Sequence, residues 1–212
     1  MTSRRTVLNV GSTQATVCLC GPAVPTYGTR EQYKVKLANE IIHGEGSNFM
    51  AGRIGPLRTK YGICYSAQGK FGYGAVGKDP GYDFVMLCVD PSKTAQAERL
   101  LRELLINVGN NPGVTDMELQ AAKNRSKTSL RGEQSSIAEF AALYVDHKRN
   151  EPSPKPAPDG DTDDEKDALR SFIADQCAKI DAVTKEEMNG IIFNLLLSGT
   201  DQLRMLQTIT TK

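Results

Sequence analysis

The sequence predicts an α+β domain, with a mostly antiparallel sheet of about five to six strands and several helices packed on one face. The first observation is the order of the patterns, which runs strand, strand, helix, two or three strands, several helices and a final strand. Strands and helices are grouped, and this favours α+β over a doubly wound parallel sheet. The second observation is that three helical patterns begin with capping sequences. We expect residues 1–212 to form a single domain.

The composition is that of an ordinary soluble domain, with 39% hydrophobic and 24% charged residues. The net charge of +1 argues against binding to nucleic acid or to an anionic membrane. The longest apolar runs are too short to span a bilayer, so membrane insertion is not expected. The five cysteines form no CxxC motif and are interpreted as small buried side chains in a reducing compartment, the cytoplasm or the mitochondrial matrix.

Six stretches have the short apolar or alternating pattern of strands. They are residues 7–10, 15–20, 61–69, 71–76, 83–89 and 202–208. The fifth, Asp-Phe-Val-Met-Leu-Cys-Val, is the most apolar of them. Because the sixth follows the helices, we expect it to close the sheet.

Six further stretches have helical periodicity. Three begin with a capping box, in which Thr is followed three residues later by Gln or Glu, at residues 29–32, 115–118 and 184–187. Another begins at residues 90–91, where Asp is the cap and Pro takes the first helical position. The predicted helices cover residues 29–43 and 90–108, continue from 115, cover 136–147 and 165–180, and continue from 184. Gly44 directly follows the first helix and is interpreted as its C-terminal stop.

Residues 150–164 interrupt these patterns with four prolines and a run of acids. This composition predicts a disordered insertion within the domain.

The main candidate site lies in the stretch Leu-Arg-Thr-Lys-Tyr-Gly-Ile-Cys-Tyr-Ser at residues 57–66. Arg58 ends a Gly-rich lead-in, and Tyr65 lies on a predicted strand. A guanidinium and a phenol are both hydrogen-bond donors, so together they suit a peptide carbonyl or a developing oxyanion. A purely structural interpretation remains open, in which Arg58 pairs with an acid and Tyr65 is a half-buried strand residue.

The chain lacks the motifs of a self-sufficient hydrolase. Neither His43 nor His147 lies in an HExxH or HxxEH motif, and no GxSxG occurs, so this chain is expected to bind no zinc. His43 is interpreted as the last residue of a helix, where a positive charge is favourable. The Gly-rich residues 43–48 lack the Lys-Ser/Thr of a P-loop and follow a helix, unlike a dinucleotide fingerprint. A solvated helix face is the simplest interpretation of four cations, Lys123, Arg125, Lys127 and Arg131.

Three ordered motifs resemble the M16 metallopeptidase family, which includes insulin-degrading enzyme, pitrilysin, mitochondrial processing peptidase and the core proteins of the respiratory bc1 complex. Residues 41–46 with residues 57–65 resemble its "LGGG…LREK-x-GLAY" stretch. Residues 113–123, Gly-Val-Thr-Asp-Met-Glu-Leu-Gln-Ala-Ala-Lys, are similar to its "GxTxxELxxA" helix start. Residues 180–188 are similar to its "IxxVTxEE" segment. The likeness covers nearly the whole chain.

The resemblance implies a domain from a clam-like enzyme, in which zinc is held by an HxxEH motif on a different domain or subunit. Arg58 and Tyr65 match the Arg and Tyr of the non-catalytic C-terminal domain, which face that zinc and hold the carbonyl of a peptide substrate. One departure is the Ala-Gly-Arg-Ile at residues 51–54, where the family has "SRL". The glycines of the lead-in, residues 44–56, resemble the Gly-rich loop of the processing peptidase's non-catalytic subunit, and this resemblance implies substrate contacts from Gly44, Gly46 and Arg53.

Three functions follow as hypotheses. The first is a substrate-binding domain that assists the chemistry of a zinc peptidase in trans. The second is a structural, core-protein-like subunit of a larger assembly with no peptidase role. The third, a small-molecule-binding module, depends on the Gly-rich stretch alone.

Overall fold

The computed structural model describes residues 4–8, 11, 13–23, 31–44, 51–72, 81–132, 162–199, 202–205 and 207–211. Its strands are β1 (Arg4–Leu8), β2 (Ala15–Pro22), β3 (Ser66–Lys70), β4 (Tyr82–Val89), β5 (Leu197–Gly199), β6 (Gln202–Leu203) and β7 (Gln207–Thr211). Its helices are α1 (Glu31–Ile42), α2 (Pro56–Thr59), α3 (Thr94–Asn110), α4 (Asp116–Gly132), α5 (Thr162–Asp181) and α6 (Lys185–Leu196).

Five strands form one sheet in the order β1-β7-β2-β4-β3, and β5 pairs with β6 separately. β2 is antiparallel to both β4 and β7, and β3 is antiparallel to β4. Only the pairing of β1 with β7 is parallel within this sheet. The predicted α+β architecture, with a mostly antiparallel sheet, is confirmed.

The helices cover one face of the sheet. Alternate residues on β2 and β4 point into the core, where Val17, Leu19, Val85 and Leu87 are fully buried. α3 packs against these two strands, while α1 packs against α4 and α6. Leu101 and Leu105 of α3 are fully buried, as expected from their helical spacing.

The predicted helix starts are confirmed where the structure describes them. Thr115 accepts a hydrogen bond from the Glu118 amide at 3.2 Å, and the Glu118 carboxylate accepts one from the Thr115 amide at 2.9 Å. Thr184 and Glu187 form the same reciprocal pair. Asp90 accepts from the Ser92 amide at 2.8 Å, and a short 3₁₀ turn precedes α3. The capping box at residues 29–32, the helix at 136–147 and His147 lie outside the described residues.

Several strand and insertion boundaries differ from the predictions. The strand predicted at 7–10 is β1, which runs from Arg4 to Leu8. The strand predicted at 61–69 begins only at Ser66, because a turn occupies the preceding residues. Phe71 and Gly72 are not in a strand, and residues 73–80 lie outside the description. The single strand predicted at 202–208 is two strands in different sheets, since the Arg204 amide donates to Leu196 O at 2.8 Å and directs β6 toward β5. Residues 162–164, predicted as the end of a disordered insertion, belong to α5.

Within the described residues, no helix combines the length and the apolar character needed to cross a membrane.

Candidate functional site

Arg58 lies on the short helix α2, and hydrogen bonds to the end of α1 fix the segment that enters this helix. The Arg53 and Ile54 amides donate to Ile41 O and Ile42 O at 3.0 and 3.1 Å, so the segment entering α2 lies against the end of α1. Pro56 takes the first helical position, where its missing N–H costs nothing. Leu57 is fully buried, and the next residue, Arg58, is therefore directed to the exposed side.

A glycine turn then brings the chain back to the sheet. Gly62 has a φ of 57°, in the left-handed region that favours glycine, and its amide donates to Arg58 O at 3.1 Å. Ile63 and Cys64 are buried after the turn. The Tyr65 amide donates to Cys88 O at 2.8 Å, so Tyr65 is fixed to β4 one residue before β3 begins.

The turn places Arg58 beside Tyr65. The Arg58 Nη1 donates to the Tyr65 main-chain oxygen at 2.7 Å. The Tyr65 side chain is 55% exposed, and its hydroxyl has no hydrogen-bond partner in the described part of the chain. The structure thus brings the two predicted residues together, although Tyr65 precedes the strand instead of lying on it. The arrangement offers a guanidinium that is fixed to the main chain of Tyr65, and the exposed phenol of the same tyrosine is a second hydrogen-bond donor.

Arg53 has an intrachain role that the sequence did not indicate. Its Nε and Nη2 donate to the two carboxylate oxygens of Glu118 at 2.9 and 3.0 Å, and its Nη1 donates to Pro112 O. Such a bidentate pair is well suited to joining two segments. It ties the entry to α2 to the start of α4. The predicted substrate contact of Arg53 stays a prediction, and these bonds occupy the donors that it would use.

The predicted Gly-rich site is only partly described. Gly44 has a φ of 68° and ends α1, as its stop role requires. Gly46 lies outside the described residues. Gly52 packs so closely that a Cβ there would lie 2.5 Å from the Gly44 amide nitrogen. This tight contact leaves no room for a side chain at residue 52, and it explains why glycine is found there in place of the family's "SRL".

His43 lies at the C-terminal end of α1, as predicted, with its amide donating to Asn39 O at 2.9 Å, but the interpretation that it carries a favourable positive charge there is wrong. The side chain is buried beside Phe71, with ring centroids 4.6 Å apart, and neither ring nitrogen has a hydrogen-bond partner among the described residues. Burial lowers the pKa of His43 to about 3, so the imidazole is neutral at physiological pH. His43 is a packing residue, and its ring lies against Gly69 of β3, where a Cβ would approach the ring to 2.5 Å.

The interpretation of the α4 cations as a solvated face is also wrong for three of the four. Arg125 Nε donates to Glu40 at 2.8 Å, and Lys127 Nζ donates to Asp181 at 2.7 Å. Lys123 Nζ donates to the main-chain oxygen of Asp181 at 2.8 Å. These partners lie far away in sequence, so spacing along α4 did not reveal them. The side chain of Arg131 lies outside the description.

The described residues provide no metal site of the kind expected for zinc. Within them, no three His, Cys, Asp or Glu side chains are grouped so that they could hold a metal ion. The one described histidine, His43, has both nitrogens buried in the core. Zinc therefore does not fit the donor set of this part of the chain.

Three hydrogen bonds at the other end of β3 had no sequence signal. Asn39 of α1 makes two hydrogen bonds with the main chain of Phe71. Its Nδ2 donates to Phe71 O at 3.0 Å, and its Oδ1 accepts from the Phe71 amide at 2.7 Å. The Gly72 amide donates to the buried Asp83 at 2.9 Å. Together they fix the C-terminal end of β3 to α1 and β4.

The chain belongs to the peptidase M16 inactive-domain family, whose model matches residues 2–126. The protein is therefore an M16-type domain of the inactive class, which does not itself carry the catalytic motif. A search among curated proteins gave no match.

Solved structures agree with this assignment. A protease from Helicobacter pylori is similar at 15% identity and a TM-score of 0.69, over 100% of this chain and 44% of that one. The inactive peptidase domain of a Bordetella parapertussis protein is similar at 14% identity and a TM-score of 0.63, over 87% of each chain. A chain of complex III2 from Candida albicans is similar at 13% identity and a TM-score of 0.66, over 99% of this chain and 45% of that one. At these identities the likeness shows the fold. The chain spans less than half the length of the protease and complex III2 chains.

Proposed function

We propose that this domain is the non-catalytic, substrate-holding part of an M16-type zinc metallopeptidase. Arg58 and Tyr65 would bind the carbonyl of a peptide substrate and donate to it as negative charge develops on the oxygen. An HxxEH-bearing domain or subunit would complete the site and hold the zinc. The observation that carries the proposal is the 2.7 Å bond that fixes the Arg58 guanidinium to the main-chain oxygen of Tyr65, a residue that is itself exposed.

The local structure supports a binding role for these two side chains. The exposure of Tyr65 leaves its phenolic O–H accessible, and burial of neighbouring Leu57, Ile63 and Cys64 fixes the backbone around it. Donors that are positioned before the reaction lose little energy to reorganisation, and this is how oxyanion-type stabilisation gains its strength.

The nearby thiol is not a competing nucleophile. Burial raises the pKa of Cys64, while the positive charge of Arg58 acts in the opposite direction. Cys64 is 6% exposed and is therefore shielded from a substrate. The proposed chemistry accordingly depends on hydrogen-bond donation from Arg58 and Tyr65.

The test is peptide cleavage by the complex of this domain with its native partner, with Tyr65→Phe and Arg58→Ala introduced separately. Tyr65→Phe removes one donor and keeps the ring, so turnover should fall by about 10- to 1000-fold, or roughly 1.4–4 kcal/mol. Tyr82→Phe is the matched control, because Tyr82 is also exposed, at 67%, but lies on β4. Wild-type turnover in Tyr65→Phe, with the complex intact, would remove Tyr65 from this role.

A structural subunit is the second candidate, and the likeness to a complex III2 chain favours it. In that case, the domain would assemble with its partner while no peptide is cut under any metal condition. Arg58→Ala and Tyr65→Phe would then change only the stability of the assembly.

A further inference from the structure

Four sulfur-bearing side chains share the face of the main sheet that lies opposite its core face. On β2 and β4, buried residues alternate with half-buried ones, and the half-buried ones point away from the core. That outer face carries Cys18 and Cys20 of β2 and Met86 and Cys88 of β4. All four are half-buried, so their sulfur atoms are more accessible than that of Cys64, which is 6% exposed.

Cys18, Cys20 and Met86 form one compact group on this face. Strand residues two apart point the same way and are separated by about 6.7 Å, so the two thiols stand side by side on β2. Met86 lies directly opposite Cys18 on β4, and such cross-strand neighbours have Cβ atoms about 5 Å apart. Burial and the neighbouring Cys20 raise the pKa of Cys18 to about 11, so the two thiols interact with each other.

This spacing disfavours a disulfide between Cys18 and Cys20. A disulfide needs Cβ atoms about 3.5–4.5 Å apart, whereas side chains that stand parallel two residues apart on a strand are separated by about 2 Å more. A metal ion makes a longer bridge, because two metal–thiolate bonds of about 2.3 Å hold the sulfurs up to roughly 4.6 Å apart. The pair is therefore better suited to hold an ion between its sulfurs than to form a bond with itself.

The ligand set selects a soft ion. Thiolate and thioether ligands favour Cu(I) over harder cations. A structural zinc site needs four ligands, and within the described residues no third His, Cys, Asp or Glu is grouped with this pair. The nearby Cys88 thiol donates to Gln14 Oε1 at 2.9 Å. By contrast, the hydrogen bonds that the structure gives to the Cys18 and Cys20 thiols are long, at 3.7–4.0 Å, so a metal would displace little.

We propose that Cys18 and Cys20 bind one Cu(I) ion between their sulfur atoms, with the Met86 thioether as a weaker third ligand. Binding forms two copper–sulfur bonds, releases the two thiol protons to solvent and leaves the oxidation states of copper and sulfur unchanged. Phe84 lies opposite Cys20, and Ile209 lies opposite Cys18, so apolar side chains flank the ion and limit the access of water. The inference goes beyond the proposed peptide-holding function and does not depend on it.

The test is a competition for Cu(I), without oxygen, between the full, reduced chain and the coloured chelator bicinchoninate. The wild-type chain should remove one Cu(I) per chain from the chelator, and a thiolate-to-copper charge-transfer absorption should appear with the same stoichiometry. Because two protons are released, the affinity should rise by up to about 100-fold per pH unit below the pKa of the thiols. A chain that leaves the chelator complex intact, or an affinity that does not change with pH, would contradict the proposal.

Variants locate the ion. Cys18→Ser and Cys20→Ser should each weaken Cu(I) binding by at least about 100-fold, since even the outer-shell partners of metal ligands contribute about 10- to 100-fold. Met86→Leu should cost about 10-fold or less, because a neutral thioether is a weaker ligand than a thiolate. Cys177→Ser is the matched control, because Cys177 is also half-buried but lies on α5. An equal loss in Cys177→Ser, or no loss in Cys20→Ser, would overturn the assignment.

Alkylation of the wild-type chain gives a second measurement that requires no variant to fold. Bound Cu(I) should slow the reaction of Cys18 and Cys20 with iodoacetamide by about 10-fold or more, because the thiolates are no longer free, and should leave the rate at Cys177 unchanged. Mass spectrometry of the peptides measures the three rates. Equal rates at Cys18 and Cys20 with and without Cu(I) would mean adventitious copper only and would refute the proposal. Neither measurement uses a peptide substrate or a partner chain, so such a failure would leave the proposed function untouched.

Discussion

Cations have opposite roles in α4 and around β3. On α4, Arg125 and Lys127 are paired with Glu40 and Asp181 at 2.8 and 2.7 Å, and these pairs join the helices. Around β3, main-chain bonds and glycine turns hold the segment, and Lys60 and Lys70 extend outward. The lesson is that a basic residue acquires its role from the acids that the fold brings to it.

The largest expected effect concerns the α4 side of this comparison. Arg125→Leu should lower the free energy of unfolding by about 2–3 kcal/mol, because it removes the guanidinium that neutralises the buried Glu40 carboxylate. The value lies below the ~3–5 kcal/mol of a fully buried pair, since the Arg125 side chain is 38% exposed and that of Glu40 only 6%. Urea denaturation measures the change.

The control for Arg125 is Arg99→Leu on α3. Arg99 pairs with Glu103 at 3.2 Å, but the two side chains are 63% and 58% exposed. The expected loss is about 0–0.5 kcal/mol, as for other exposed pairs within a helix. If both substitutions cost the same, the α4 cations would be no more structural than ordinary surface charges.

A smaller effect is expected at Asp83, the acid that anchors the end of β3. Burial raises the pKa of Asp83 from 3.8 to about 6, and the bond from the Gly72 amide and the charge of Arg204 oppose this. A raised folded-state pKa means that the folded protein binds the proton more tightly. This contribution to stability is therefore full below about pH 4 and is lost as pH rises through 6.

Asp83→Asn should remove that pH dependence. The variant keeps an oxygen for the Gly72 amide and carries no charge to bury, so we expect it to gain about 1–2 kcal/mol relative to wild type between pH 4.5 and pH 7.5. Urea denaturation at the two pH values gives the difference directly. If the free energies of unfolding of Asp83→Asn and wild type differ by the same amount at the two pH values, Asp83 does not titrate in this range.

The smallest effects test whether glycine geometry holds the site. Gly62→Ala should cost about 1 kcal/mol, because its φ of 57° strains any residue with a Cβ. Gly190→Ala is the matched control: Gly190 lies inside α6, where an added Cβ meets nothing within 4 Å. Alanine there should stabilise by about 0.5–1 kcal/mol. Effects of the same sign in the two variants would contradict the role assigned to the Gly62 turn.

Local sequence signals predicted much of the fold. Capping boxes at Thr115 and Thr184 and the apolar run of β4 concern residues close together in the chain, and the structure confirms them. The turn before Ser66 was missed because Tyr61, Ile63 and Tyr65 have the alternation of a strand, and only the φ of Gly62 breaks it. The strand at 202–208 was predicted whole because its break arises from a bond to Leu196 O, which no local pattern encodes.

The candidate site was predictable to a similar extent. Arg58 and Tyr65 come from one short stretch, so their proximity follows from a single turn. The neutral state of His43 and the pairing of Arg53 with Glu118 depend on which elements pack together, and residue type alone does not give that information. The same limit applies to Asn39, whose contact with Phe71 joins α1 to the end of β3.

The position of β7 has a consequence for how the chain folds. β7 is the last strand along the sequence, yet it is inserted between β1 and β2, with Gln207 facing Arg4 on one side and Cys20 on the other. An interior strand that lies so far along the chain from both of its neighbours requires long loops to close before it pairs, and such distant pairing slows folding. We therefore expect β1 to acquire its partner late in folding, and until β7 inserts, β2 presents an open edge at which another chain could pair.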